Sequence, residues 1–288
     1  MVLYILNGLY FGAFLFLTSL GLTIILGVMG ILNLAHGSLF ALGAFMAAWT
    51  IGLMATGPPS TALIVGIICS MALTAAVGFL LERSLIKPII RRPLEYQLLI
   101  TFGALLLMED LIKLVWGGEA RYASAPFDSM GRTSLLGLEY PWYFVFVMAL
   151  TALAGMAVWF VMARTRAGIM LRAIAMDRDM AEAMGIPIKR LSSLAFMLGA
   201  SMAGLAGALM VPTSPALLGI GMEPLIMAFI VVVIGGMGSL KGAVVGSLLV
   251  GQARSFGVGF LPELEMPILF LIAVLILIGR PQGMFGKG

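Results

Sequence analysis

Charge is the scarcest commodity in this sequence. Of 288 residues only 17 are Lys or Arg and 13 are Asp or Glu, about 10% against roughly 25% in a soluble domain. So few charges cannot give a globule of this size a water-facing skin, which excludes an ordinary cytosolic enzyme, a nucleic-acid binder and a disordered chain. From Met1 to Leu81 there is no charge at all; Glu82 is the first. Cysteine is represented once, by Cys69, and histidine once, by His36. A single thiol rules out an intrachain disulfide, and no Cys/His spacing suits a metal. Cys69 sits in an apolar run and reads as a small buried hydrophobe. No aromatic cage is evident, and no Lys or Arg precedes the first apolar run, so that run reads as a membrane segment rather than a secretory leader.

What is abundant is apolar surface: 61% hydrophobic residues and a mean hydropathy of +1.12. The solvent for most of it must be lipid. A spanning helix needs about 20 apolar residues, and the charges and breakers divide the chain into segments at about 3–26, 29–56, 60–81, 97–116, 142–163, 191–222, 224–240, 242–258 and 264–279. Gly57-Pro58-Pro59-Ser60 is a turn, and the second and sixth segments are interrupted by Gly, Asn, His or Pro. The expectation is an all-α polytopic bundle of eight or nine crossings with broken helices, one transmembrane domain over 1–288. Orientation follows Lys and Arg. Loop 83–92 carries four and 164–190 carries six, whereas 117–140 balances Arg121 and Arg132 against Glu119, Asp128 and Glu139. The first two are assigned to the cytoplasm and 117–140 to the outside. The N-terminus then falls outside, and a tail with Arg280 and Lys287 inside. The pI of 9.4 reflects these loops, not an affinity for nucleic acid.

Glycine, 36 residues, is the second abundance. In lipid, small residues four apart let helices approach closely. Gly199, Ala203 and Gly207 form one stripe, Ala200, Gly204 and Ala208 its neighbour, and Gly242 and Gly246 a pair. There is also an internal echo: residues 28–37 resemble 233–242, each a glycine-rich break followed by a helix. Corresponding broken helices point to a pathway between repeats; chance similarity of glycine-rich apolar stretches is the alternative.

Candidate chemistry is sparse. Asn33, His36, Gly37 and Ser38 sit at one break, and polar groups at membrane depth are costly and suspect. They either line or gate a path or satisfy the broken backbone, and one break can do both. Gly236, Gly238, Ser239 and Lys241 at the second break are path candidates on the same argument. Glu109 and Lys113, spaced i, i+4, could pair near an outer helix end beside Asp110. Glu263 and Glu265 read as solvated, or as part of a surface that receives a partner. The run Gly235 to Gly242 is a poor P-loop, with Lys241 between Leu240 and Gly242, so any ATP must be used by another chain. Gly199-Ala200-Ser201 with His36 is a crude nucleophile–base pair of the intramembrane protease kind, but nothing in the sequence places the two within reach.

The most informative stretch is 164–190. Residues 172–184 are good helix formers, Gly185 stands where a C-cap would, and Ile174, Met180, Ala181 and Met184 form a small apolar stripe among charges. Such a cytoplasmic helix docks into a groove of another protein or lies on the inner leaflet. Ala181-Glu182-Ala183-Met184-Gly185-Ile186 resembles the Glu-Ala-Ala…Gly loop of membrane subunits of ATP-binding-cassette importers, although Met184 replaces the second alanine. The string from Arg172-Ala173-Ile174-Ala175 to Ala203-Gly204-Leu205-Ala206-Gly207-Ala208 resembles the branched-chain amino acid permease family. So do Gly30-Ile31-Leu32-Asn33-Leu34-Ala35-His36-Gly37-Ser38 with Leu42-Gly43-Ala44-Phe45, and Gly235-Gly236-Met237-Gly238-Ser239-Leu240-Lys241-Gly242. The Asn-Leu-Ala-His-Gly form is closer to the H-type membrane subunit of the Liv system than to its M-type partner. The resemblance implies one membrane subunit of a multi-part importer in the cell inner membrane. It implies a second permease subunit, two cytoplasmic ATPases that bind the ATP, and a periplasmic substrate-binding protein, with no cofactor in this chain and no catalysis by it. It also implies that Arg172, Ala173, Asp177, Arg178, Ala181, Glu182, Ala183 and Gly185 carry ATPase coupling. A self-sufficient secondary transporter or channel for small polar solutes is the competing reading; it needs paired charges at mid-membrane, which are scarce here.

Overall fold

A computed structural model describes residues 1–135, 137–260 and 262–286; Lys287 of the tail lies outside them. In chain order the helices are α1 (Val2–Met29), α2 (His36–Leu53), α3 (Pro59–Leu81), α4 (Lys87–Ile89), α5 (Leu94–Trp116), α6 (Ala125–Met130), α7 (Trp142–Arg164), α8 (Arg166–Met176), α9 (Arg178–Ala183), α10 (Ile188–Met210), α11 (Met222–Gly235), α12 (Leu240–Phe260) and α13 (Glu265–Gly279). A π-helical turn, Glu82–Ile86, joins α3 to α4. Proline starts several long helices: Pro59, Pro93, Pro141 and Pro187 stand at or just before the first turns of α3, α5, α7 and α10. There a missing N–H costs nothing and the fixed φ suits the helix. The outer connection 117–140 is ordered: α6 is followed by an antiparallel hairpin, β1 (Arg132–Leu135) and β2 (Leu138–Pro141), with Thr133 opposite Tyr140.

Seven helices among the described residues are long and apolar enough to cross a membrane: α1, α2, α3 with its extension to Ile89, α7, α10, α12 and the stretch Pro262–Gly279. Each of the nine apolar segments read from the sequence contains a helix. The two outside the seven differ for separate reasons. α5 has 23 residues but carries Glu109, Asp110 and Lys113 in its last third. α11 has only 14 residues, about 21 Å at 1.5 Å per residue, short of a hydrocarbon core of about 30 Å.

The helices form a centre and a rim. α1, α2 and α10 are buried along most of their length, whereas α3, α7 and α13 turn most of theirs outward. α1 packs along α12, α10, α11 and α7, and α10 packs against α3 and α2. The glycine stripes are the reason these backbones meet. On one side of α10, a Cβ at Gly199 would stand 2.7 Å from the carbonyl of Gly21 in α1, and one at Gly207 would strike the carbonyl of Phe40 in α2. Along the neighbouring stripe, a Cβ at Gly43 would reach 2.5 Å from Gly204 Cα, and one at Gly78 would lie 2.6 Å from Ala200 Cβ. Gly242 and Gly246 sit against Gly235 and Val231 of α11 in the same way. With no gain from exchanging lipid for an equally apolar neighbour, close van der Waals contact is what holds such pairs.

Three expectations are corrected. The single helix anticipated over 172–184 is two, because Asp177 is extended (φ −154°) and caps α9, its Oδ1 accepting the N–H of Met180 at 2.9 Å. Asp favours that capping role over a helix interior; Gly185, at φ 78°, does end α9. Cys69 is half-buried rather than buried, since α3 is a rim helix. Glu109 forms no ion pair with Lys113 among the described residues; its Oε2 accepts the N–H of Gly219 at 3.0 Å.

Candidate functional site

The break after α1 begins at Gly30, left-handed at φ 68°, whose N–H caps the helix on Leu26. Residues 30–35 are non-helical and climb back along α1. His36 Nε2–H donates to the carbonyl of Thr18 at 3.0 Å, and Thr18 lies eleven residues before the end of α1, about 16 Å along its axis. α2 therefore starts near mid-depth. Gly21 makes room for the imidazole: a Cβ there would come 2.9 Å from its Cε1. Asn33 Oδ1 accepts the N–H of Ala35 at 3.1 Å, and Ser38 Oγ donates to the carbonyl of Leu105 in α5 at 3.2 Å. Asn33 and His36 are fully buried, and Asn33 Nδ2 and His36 Nδ1 have no partner among the described residues. Both are packed away from the surface and hold the broken backbone, Asn33 through Ala35 and His36 through Thr18 of α1.

Opposite this break lies another that sequence reading did not pair with it. After α10, residues 211–221 hydrogen-bond with the outer connection, Arg121 and Ala216 exchanging backbone bonds, and then reach α5 at Glu109. Gly221, the N-cap of α11, meets Gly37 of α2: a Cβ at Gly37 would lie 2.7 Å from the Gly221 carbonyl. Two helix N-termini thus meet within the membrane. That is the half-helix arrangement by which transport proteins present positive dipole ends to a solute.

The second glycine-rich break is elsewhere. Gly236 (φ 100°) and Gly238 (φ 75°) turn the chain at the inner end between α11 and α12. Gly238 abuts Gly27 near the end of α1. Ser239 Oγ accepts the N–H of Gly242, Lys241 is exposed, and the tail folds over the turn, Met284 and Phe285 donating to the carbonyls of Ile234 and Gly235. The structure therefore separates the two sets of path candidates. Asn33 to Ser38 lie part-way back along α1, whereas Gly236 to Lys241 lie at its end, where Gly238 abuts Gly27.

On the inner face, α8 and α9 form a bent element against α7 and α10. Leu171, Ile174 and Ala181 are its buried side, and Met176, Met180 and Met184 are exposed. The apolar stripe thus divides: Ile174 and Ala181 anchor the element, and the methionines face away. Arg172 closes the end of α7, Nη1 donating to the carbonyl of Met162 at 2.6 Å. Ala173 is half-buried, Ala183 and Gly185 are exposed, and Glu182 is 3.7 Å from Arg91 across the inner surface.

One cluster was not foreseen. Arg254 of α12 bonds Glu223 of α11 at 2.6 Å, pairs with Glu265 of α13, and stacks over Phe11 of α1 with 3.8 Å to the ring centroid. The signal was available: Arg254 is a lone charge in an apolar segment. Glu265, expected in solvent, is one-fifth exposed because Arg254 draws it in. Ser201 Oγ donates within its own helix to Leu198 at 2.8 Å, so the Ser201–His36 pair does not form.

Comparison with known proteins follows these lines. The chain is 27% identical over 289 residues to the high-affinity branched-chain amino acid transport system permease protein BraD of Pseudomonas aeruginosa, covering 98% of this chain and 94% of that one. It is 27% identical over 292 residues to the corresponding permease protein LivH of Escherichia coli K12, with the same coverage. Among solved structures, PsaBC from Streptococcus pneumoniae, in complex with Fab, matches with a TM-score of 0.46 at 16% identity, covering 94% of this chain and 89% of that one. The profile of one family matches residues 4–279, nearly the full length, and the chain belongs to it: the permease components of branched-chain amino acid transport systems.

Proposed function

We propose that this chain forms one half of the membrane pathway of an ATP-driven importer for branched-chain or chemically related amino acids, in the cell inner membrane. The pathway half is built around the meeting of α2 and α11 at Gly37 and Gly221, where two helix N-termini can attract a carboxylate. The chain passes nine times: seven apolar helices and α5, plus the descending segment 212–221 completed by α11. A second, M-type permease chain supplies the other half, two cytoplasmic ATPases bind and hydrolyse ATP, and a periplasmic binding protein delivers the solute.

The observation that carries the coupling half of this reading is the α8–α9 element: anchored by Leu171, Ile174 and Ala181, it presents Met176, Met180 and Met184 away from the bundle. Exposed methionines that alternate with Arg178 and Glu182 suit a groove in another protein, because unbranched thioethers adapt to a partner's surface. Purification in mild detergent followed by mass identification tests it. ATPases and a second permease should accompany the chain, and uptake into proteoliposomes should require them and ATP.

A self-sufficient transporter has one observation in its favour, the Glu223–Arg254–Glu265 cluster, since paired charges at membrane depth serve ion coupling. Uptake by the purified chain alone, driven by an ion gradient, would establish that alternative and remove the importer reading.

A further inference from the structure

A cavity of about 410 Å³ opens on the inner face between the π-helical turn, α4, α9 and the start of α10. It is lined by Glu82, Glu182 and Ser192 and by four cations, Lys87, Arg91, Arg178 and Lys189. Glu82 is fully buried. Its Oε2 accepts the Ser193 hydroxyl at 2.8 Å and lies 3.3 Å from Lys87 Nζ. Its Oε1 has no partner among the described residues, and neither does the buried Ser192 Oγ. A buried carboxylate oxygen without a donor is expensive, and here the two residues that carry such unpartnered atoms border one cavity.

The charges select the guest. The second oxygen of the buried carboxylate asks for a donor; of the four cations, Lys87 is paired with Glu82 and Arg91 with Glu182, while Arg178 and Lys189 have no ion pair among the described residues and ask for an anion. A simple anion would face Glu82 at close range, and a simple cation would have to pass Arg178 and Lys189. Only a small zwitterion, with a primary ammonium turned inward and an anionic group turned outward, satisfies both ends. We infer that this cavity is a cytoplasmic binding site for such a zwitterion, separate from the membrane path, with the ammonium on Glu82 Oε1 and the anionic group beside Arg178 and Lys189. Two molecules in reach of the inner face have this chemistry: a free α-amino acid, and the headgroup of phosphatidylethanolamine. Because Arg178 and Glu182 of α9 also line the cavity and Glu182 faces Arg91, an occupant bridges the coupling element to α10. The choice of leucine as probe rests on the proposed transport function; the site itself does not.

The test uses the assembled permease–ATPase complex in nanodiscs of phosphatidylcholine and phosphatidylglycerol, without binding protein. Binding of radiolabelled L-leucine is compared with competition by isoamylamine, which has only the ammonium end, and 4-methylpentanoate, which has only the carboxylate. In parallel, mass spectrometry of complexes taken from native membranes measures retained phosphatidylethanolamine. Glu82→Gln is expected to lower occupancy by the true guest at least about tenfold, the value of one charge-assisted bond. Lys189→Gln, outside the buried pair, is expected to lower it about threefold and serves where Glu82→Gln fails to assemble. Leucine binding that both variants weaken and neither half-molecule displaces identifies the amino acid. Phosphatidylethanolamine retained by the parent and lost from both variants identifies the lipid. If neither ligand is bound, or the variants bind as the parent does, the site assignment is wrong, whereas ATP-driven uptake with the binding protein would still stand and the importer reading with it.

Discussion

Gly207 shows how much a single hydrogen can decide in lipid. A Cβ there would strike the Phe40 carbonyl of α2, and Gly204 faces Thr74 of α3 with as little room. Gly207→Val is expected to destabilise the fold by about 2–3 kcal/mol, the cost of overpacking a close contact, read as a lower midpoint in thermal unfolding in detergent; an unchanged midpoint would mean that α2 and α10 are not in contact. His36 depends on the same closeness through Gly21. His36→Phe removes the bond to the Thr18 carbonyl and is expected to cost about 1–2 kcal/mol while shifting the start of α2. Reduced uptake with membrane insertion intact would place the effect on the path. That His36 stands at a break was legible in the sequence. That its partner is Thr18 was not, because the hydrogen bond joins residues eighteen apart through a non-helical climb whose direction no local pattern encodes.

The α8–α9 element shows what patterning can and cannot separate. Its charges, helix formers and terminal glycine identified a charged helical unit, and the apolar stripe was visible too. The stripe's division into anchors and exposed methionines was not, because Asp177 breaks the helix and rotates one half against the other. The functional consequence lies with Met180, Arg178, Glu182 and Met184. Replacing Arg178 and Glu182 together by alanine, or Met180 and Met184 together by glutamate, is expected to leave insertion and permease pairing intact and to lower ATP-driven uptake about tenfold or more, as loss of an interface's central anchors does. The readout is uptake per ATP hydrolysed; coupling at the parent value in both variants would move the contact elsewhere. Ala181→Glu, on the buried side, should instead lower stability, which separates anchoring from docking.

Across the full assembly of helices, Arg254 is the tie that joins distant parts of the chain: α1 through Phe11, α11 through Glu223 and α13 through Glu265. Arg254→Ala leaves two carboxylates without their counter-charge inside the bundle, and about 3 kcal/mol of stability should go with it. The combined Glu223→Gln, Arg254→Met, Glu265→Gln variant is expected to lose less, since no unpaired charge remains; if it loses as much, the cluster serves through its shape and not its charge. Composition and run lengths were enough for the all-α membrane class and the places of the nine apolar segments, because hydrocarbon leaves a chain no other way to satisfy its backbone than helices or closed barrels. The glycine stripes foretold close packing for the same reason. What they could not supply was partnership. Residues 28–37 and 233–242 look alike, yet the neighbour of Gly37 is Gly221, and Gly238 meets Gly27 at the end of α1. Periodicity states which face of a helix is small or apolar, but in a medium where every helix is apolar it does not state which helix it meets. That was settled by the three-dimensional match of one glycine surface to another, and by a few polar bonds that only the folded chain brings together, His36 to Thr18 and Glu82 to Ser193 in the interior and Glu109 to Gly219 at the surface.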